Sequence, residues 1–176
     1  NAYRFFNQEM NEDAVEQITM HAGLWRAVEA EQFVLHYQPQ FDLRSGRLIG
    51  AEALIRWNHP DLGLVSPGRF IPVAEEAGLI VQIGDWVLRE ACREAARWRD
   101  AGAPGLVIAV NLSAVQFKRG DIERSVARAL ADSGLAPEQL ELELTESILI
   151  RDSEHMLSTV KRLKHMGIKL SIDDFG

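Results

Sequence analysis

Five oxygen-bearing side chains stand at equivalent places in this sequence. Glu52, Asn111, Glu143, Asp173 and Asp174 each lie late in, or directly after, a short apolar run. Four carboxylates and one amide form an all-oxygen set suited to Mg²⁺ or Mn²⁺ rather than zinc. Gathered without a cation, the carboxylates would repel one another. The adjacent Asp173 and Asp174 cannot point the same way from an extended strand, but at a strand end the chain turns and the pair can bridge two ions. Two ions about 3.5–4 Å apart would activate a water and stabilise the leaving oxygen of a phosphodiester. The competing account is helix capping, which explains any one of these positions well, because Asp and Asn are favoured caps. It explains Glu143 poorly, since this residue stands between Leu142 and Leu144, and Glu52 poorly, since it is embedded in Leu48 to Ile55. Buried acids are rarely left unpaired. Taken together, the set points to a metal site.

The elements that must position these groups are legible as a rhythm. Phe33, Leu35 and Tyr37 alternate with Val34, His36 and Gln38, and a Ser45-Gly46 turn leads into Arg47 to Ile55, so an antiparallel pair opens the fold. Ser66-Pro67 supplies a cap and a first-turn proline for a short helix through Ala77, and a longer helix runs from about Gly84 to Ala101. Three apolar runs follow, Leu106 to Val110, Leu140 to Leu144 and Ile168 to Ile172, separated by helical sequence to about Ser133 and from about Ser153 to Met166. Strands alternating with helices predict an α/β fold with a parallel sheet. Between an open doubly wound sheet and a closed barrel, the polar residues decide. Catalytic groups at the carboxyl ends of successive strands belong to a barrel, and no G-x-G-x-x-G turn is present for the open alternative. Ahead of this region, Asn11 is a plausible cap for a linker helix to about Glu31, with Val15, Ile18, Ala22, Trp25 and Val28 as its buried stripe.

Composition narrows the class. With 47% apolar and 26% charged residues and a net charge of −7, the chain is a globular protein without the basic cluster a DNA or RNA polymer would require. The single Cys92 permits no intrachain disulfide and suits a reducing compartment. No apolar run approaches the roughly 20 residues that span a bilayer. The expected location is cytoplasmic, with membrane anchoring of a longer parent through other segments left open. His21, His36, His59, His155 and His165 show no paired metal spacing, and Trp57, Trp86 and Trp98 read as packing residues, Trp57 with an option to line the site beside Arg56. Arg89 to Asp100 reads as a solvated helix face. Asp174-Phe175-Gly176 alone is not a kinase signature without a glycine-rich loop, a strand lysine and H-R-D.

Tyr37-Gln38-Pro39, the turn and strand from Leu43 to Gly50, and Ala51-Glu52-Ala53-Leu54-Ile55-Arg56-Trp57 closely resemble the opening of EAL domains, bacterial cyclic di-GMP phosphodiesterases. Phe70 to Glu75, Val110 to Ser113, Glu141 to Glu146 and Ile172 to Gly176 extend the likeness in order over residues 33 to 176. The resemblance implies a modified eight-stranded TIM barrel with one antiparallel strand, here truncated after about the fifth strand. It implies hydrolysis of cyclic di-GMP to linear pGpG with Mg²⁺ or Mn²⁺. Glu52, Asn111, Glu143 and Asp173 would be metal ligands, and Asp174 would serve a second metal and the attacking water. Gln38, Leu54 and Arg56 would contact the dinucleotide, and Glu146 would anchor a mobile loop.

Residues 32–176 would then be the N-terminal part of the phosphodiesterase domain, and 1–31 a linker and helix. Tyr3-Arg4-Phe5-Phe6 resembles the tail of an upstream GGDEF domain. Homodimerisation through the full-length domain is implied as well. Members of the family continue past D-D-F-G with a strand lysine, a later metal-binding glutamate and a glutamine. Barrels of this kind take about 250 residues, so the expectation is that this chain alone turns over little or nothing. A non-catalytic cyclic di-GMP receptor is the alternative from another class, and a different magnesium-dependent barrel enzyme is the third reading.

Overall fold

The computed structural model describes residues 20–145 and 153–173. The N-terminal aromatic patch, the Asn11 cap, Glu146 and Asp174 lie outside the described residues. A helix at residues 20–29 (α1) leads to strands β1 (Phe33–Phe41), β2 (Leu48–His59) and β3 (Gly63–Val65). Helices α2 (Pro67–Glu76) and α3 (Ile80–Asp100) come next, then β4 (Val107–Leu112), α4 (Ala114–Arg119), α5 (Ile122–Ser133), β5 (Leu140–Thr145), α6 (Ser153–His165) and β6 (Lys169–Asp173). The sheet order is β1-β2-β4-β5-β6, with β3 attached to β2. β1 is antiparallel to β2, while the β2–β4, β4–β5 and β5–β6 pairs are parallel. This is the mixed α/β sheet expected, curved as part of a barrel. The short β3 went unread in the sequence because three residues carry no period.

Alternation explains the layering. In the parallel strands Ile108, Val110, Leu112, Leu140, Leu142 and Leu144 are buried on the helix-covered face. Registered strands put their even and odd positions on common faces, so Gln38, Glu52, Asn111, Glu143 and Ser171 fall together on the opposite face. On α3, Ile83, Val87, Leu88, Ala91 and Ala95 form the stripe that covers the apolar face. Its outer face carries the solvated ion pairs Glu90–Arg93 at 2.6 Å and Glu94–Arg97 at 2.9 Å.

An aromatic cluster locks the opening strands to the helices. Phe33 lies 6.2 Å from Trp57, 5.8 Å from Phe70 and 6.0 Å from Trp86 between ring centroids. Trp57 is fully buried and its indole N–H donates to Gln32 Oε1 at 3.0 Å. It therefore faces the helices, on the side of β2 away from Arg56, and does not line the polar face. The stripe expected on α1 also shifts. Met20, Leu24 and Ala27 are buried while Trp25 is 54% exposed, because α1 turns Gly23 toward the Trp57 ring. A Cβ at Gly23 would stand 3.0 Å from Trp57 Cη2, so the missing side chain sets which face can approach.

The first hairpin turn forms as read. Asp42 Oδ1 accepts from the Ser45 amide at 2.8 Å, and Gly46 adopts φ +66°. Ser66 occupies the cap position of α2 with extended backbone, but its side chain makes no capping bond, leaving Pro67 as the working start signal. α3 begins at Ile80, one turn before the expected Gly84.

Two expectations follow. A Cβ on Gly50 would fall 2.3 Å from the Val107 carbonyl oxygen in the neighbouring strand, whereas one on Gly68 meets nothing within 4 Å. Gly50→Ala should lower unfolding free energy by about 1–3 kcal/mol or more, from strand displacement, while Gly68→Ala is neutral or stabilising; urea titration checks both. Burial pushes the Cys92 thiol up to about 12. The thiolate is thus disfavoured in the native state, and Cys92 should react with a thiol reagent at pH 8 only at the rate of unfolding. Rapid modification of folded protein would contradict its burial.

Candidate metal and phosphodiester site

The polar face is assembled by register rather than by loops. Gln38 is the cross-strand partner of Glu52, Glu52 of Ala109, Asn111 of Glu143, Glu143 of Ser171, and Thr145 of Asp173. Two residues on from Ala109, Asn111 returns to the same face, and its Nδ2 donates to Glu52 Oε1 at 2.6 Å. That short bond ties β2 to β4 and leaves Asn111 Oδ1 as the amide's oxygen for a cation. Glu52 and Glu143 are half-buried and Asn111 is exposed. The acids are thus not enclosed between leucines, as the flanking sequence suggested: alternation sends Leu142 and Leu144 one way and Glu143 the other.

Two placements differ from the linear reading. Glu52 lies mid-strand, because β2 continues to His59 to pair with β3, yet the parallel pairing of β2 with β4 stops at Ala53. With respect to the parallel sheet Glu52 is still at its carboxyl edge. Asn111 lies inside β4 rather than after it, in register with Glu143. Asp173 is the last residue of β6. Its side chain, like all of Asp174 and Glu146, is outside the described residues. Among the described residues no three Asp, Glu, His or Cys side chains gather as a metal cluster. Glu52, Asn111 and Glu143 still present an all-oxygen donor set on one face, which fits a hard divalent cation.

The substrate-side candidates spread along the same face. Leu54 pairs with His36, and Arg56 pairs with Val34 one step further along β2. Arg56 is half-buried and its Nη1 donates to the Ile55 carbonyl at 2.8 Å. Gln38 is exposed. Behind Leu54 and Asn111 lies a mostly apolar cavity of about 600 Å³, bounded by Ile71, Glu75, Ile83 and the Ser113–Gln116 turn.

That turn is itself anchored, which the sequence reading missed. Ser113 caps α4, accepting from the Val115 amide at 3.0 Å, while the Ser113 amide donates to Gln116 Oε1 at 3.1 Å. The Ser113 hydroxyl donates to Glu75 Oε1 at 2.5 Å, joining α2 to the end of β4 two residues beyond Asn111. Gln116 lies over Gly84, where a Cβ would overlap its side-chain amide. The S-x-x-Q capping box was a readable signal; the Glu75 contact, 38 residues away, was not. His59 is buried beside Trp57, its Nδ1 accepting from the Asp61 and Leu62 amides.

The sequence pattern of the EAL domain matches residues 22–176. The chain belongs to the EAL family. It is 49% identical over its whole length to the bifunctional diguanylate cyclase/cyclic di-GMP phosphodiesterase MucR of Pseudomonas aeruginosa, covering 26% of that protein. It is 41% identical over its whole length to the cyclic di-GMP phosphodiesterase NbdA of the same organism, covering 22%. The solved MucR phosphodiesterase in complex with c-di-GMP superposes with a TM-score of 0.86 at 49% identity, over 90% of this chain and 64% of that one. The chain therefore spans about a quarter of the length of these curated relatives. No helix among the described residues is long and apolar enough to cross a membrane.

The Glu75–Ser113 bond and the cap it belongs to should hold the end of β4. Ser113→Ala is expected to cost about 1–2 kcal/mol in a urea titration, from the lost cap and the stranded carboxylate. Equal stability of the two proteins would show that the contact carries no net energy.

Proposed function

We propose that this chain is part of a metal-dependent phosphodiesterase that opens one phosphodiester bond of cyclic di-GMP to give linear pGpG. The observation that carries the reading is the Asn111–Glu52 bond at 2.6 Å, in register with Glu143, on the polar face of an EAL sheet. Glu52, Asn111, Glu143, Asp173 and Asp174 would hold Mg²⁺ or Mn²⁺. When bound, the cation supplies Lewis-acid stabilisation of phosphate oxygens and lowers the pKa of a coordinated water.

The chain's own residues do the rest. Asp174 accepts the proton of the attacking water. Arg56 meets a phosphate with a guanidinium suited to bidentate contact, and Gln38 hydrogen-bonds the dinucleotide. Leu54, which lines the 600 Å³ cavity, offers an apolar surface to a base. Glu146 anchors the loop after Asp173-Asp174. Residues 1–31 connect residues 32–176 to an upstream GGDEF or sensor domain, and the full-length domain pairs as a homodimer in the cytoplasm.

In the full-length protein, chromatography should detect Mg²⁺-dependent pGpG release. Glu52→Ala should reduce it by about 10²-fold or more, through loss of a ligand. Arg56→Ala should chiefly raise KM. Normal turnover by Glu52→Ala would overturn the metal assignment. Cyclic di-GMP binding without any pGpG would identify a receptor instead.

A further inference from the structure

His36 is a polar residue that the site described so far leaves unused. Along β1, Val34, His36 and Gln38 turn to the polar face, while Phe33, Leu35 and Tyr37 pack toward the helices, Tyr37 with its ring centroid 5.0 Å from that of Trp98. The cross-strand partners of Val34, His36 and Gln38 are Arg56, Leu54 and Glu52 in turn. His36 thus stands opposite Leu54, midway between Gln38 and the Val34–Arg56 pair. It is exposed, and among the described residues its side chain has no hydrogen-bond or ion-pair partner. Successive residues on one face of a strand lie about 6.6 Å apart, and directly opposed Cβ atoms about 4.5–5.5 Å apart. A molecule held by Gln38 at one end and Arg56 at the other therefore spans about 13 Å along the hairpin, and crosses the His36–Leu54 pair on the way.

We propose that His36 is a dinucleotide-binding residue, an imidazole N–H donating to an acceptor on the edge of the base that rests on Leu54. This depends on the reading of Gln38, Leu54 and Arg56 given above. Leu54 can offer a base only apolar contact, which tells one planar ring from another poorly. The imidazole in the neighbouring strand is placed to add a polar contact at the rim of the same base. Guanine presents two acceptors, O6 and N7, on one edge, and an imidazole carries at least one N–H whether neutral or protonated. His36 acts on the ligand and not on the cation, so its effect falls on binding rather than on the chemical step.

The full-length protein carrying His36→Ala, His36→Phe, His36→Asn or His36→Gln is titrated with cyclic di-GMP by calorimetry, with Ca²⁺ as the cation, beside wild type, Gln38→Ala and Arg56→Ala. The Ala and Phe variants should bind about three- to tenfold more weakly, the scale of one hydrogen bond, since Phe keeps a ring but loses the donor. Asn or Gln, whose amide N–H groups can stand near the positions of the imidazole nitrogens, should recover most of that loss. Because His36 is exposed, these variants should unfold in urea together with the wild type. Unchanged affinity in His36→Ala, while Arg56→Ala binds weakly, would overturn the proposal and leave the reading of the face intact. Wild-type affinity in His36→Phe would also overturn it, by making the ring a packing contact, and so would failure of both Asn and Gln to bind better than Ala. Unchanged affinity in Gln38→Ala and Arg56→Ala together, or no binding by the wild type, would overturn the reading of the face itself, and the proposal with it.

Discussion

Strict alternation along registered strands is the constraint on which the rest of this molecule depends. Leu140, Leu142 and Leu144 are buried and Glu141 and Glu143 face away, so β5 cannot shift by one residue in the sheet without turning itself inside out. A slip of one residue would carry three leucines to the open face, at roughly 1.5–3 kcal/mol for each side chain exposed, and would press two carboxylates into the helix-covered core. The same pressure acts on β4 through Ile108, Val110 and Leu112. The apolar face thus pays for the placement of the polar one, and Glu52, Asn111, Glu143 and Ser171 stand side by side because their neighbours are buried.

The supports of the site extend the same principle to the helices. Gly50 admits the Val107 carbonyl, Gly84 admits the Gln116 side chain, and Gly23 admits the Trp57 ring. Each absent Cβ brings two elements closer than any larger residue would allow. The outcome is a set of fixed distances behind the polar face: the Phe33, Trp57 and Phe70 rings behind Arg56, and the Glu75–Ser113 bond beside Asn111. Groups that must meet a cation or a phosphate within a few tenths of an ångström need such backing, since precision in the first contacts comes from rigidity in what lies behind them.

Much of this was legible in the linear chain. The hairpin, the strand-helix alternation, the oxygen-rich candidate set and the ordered motifs from Tyr37 to Gly176 are carried by local types and spacings. Strand period, turn chemistry and a motif series are properties of neighbours in sequence. The misreadings share one cause. The helical spacing predicts a buried Trp25 and leaves Trp57 an option to line the site, because each outcome depends on which partner the element meets. Glu52 was read near a strand end because β3, three residues long, gave no sign that β2 ran on to His59.

By itself the sequence determined the fold class, the family and the identities of the candidate ligands, since these follow from side-chain chemistry and from periods of two and 3.6 residues. Only the tertiary structure decided that Asn111 bonds Glu52 across 59 positions and that Glu75 reaches Ser113. The reason is physical: a hydrogen bond is a statement about distance and angle, and residues far apart in the chain acquire neither until the sheet's register brings them together.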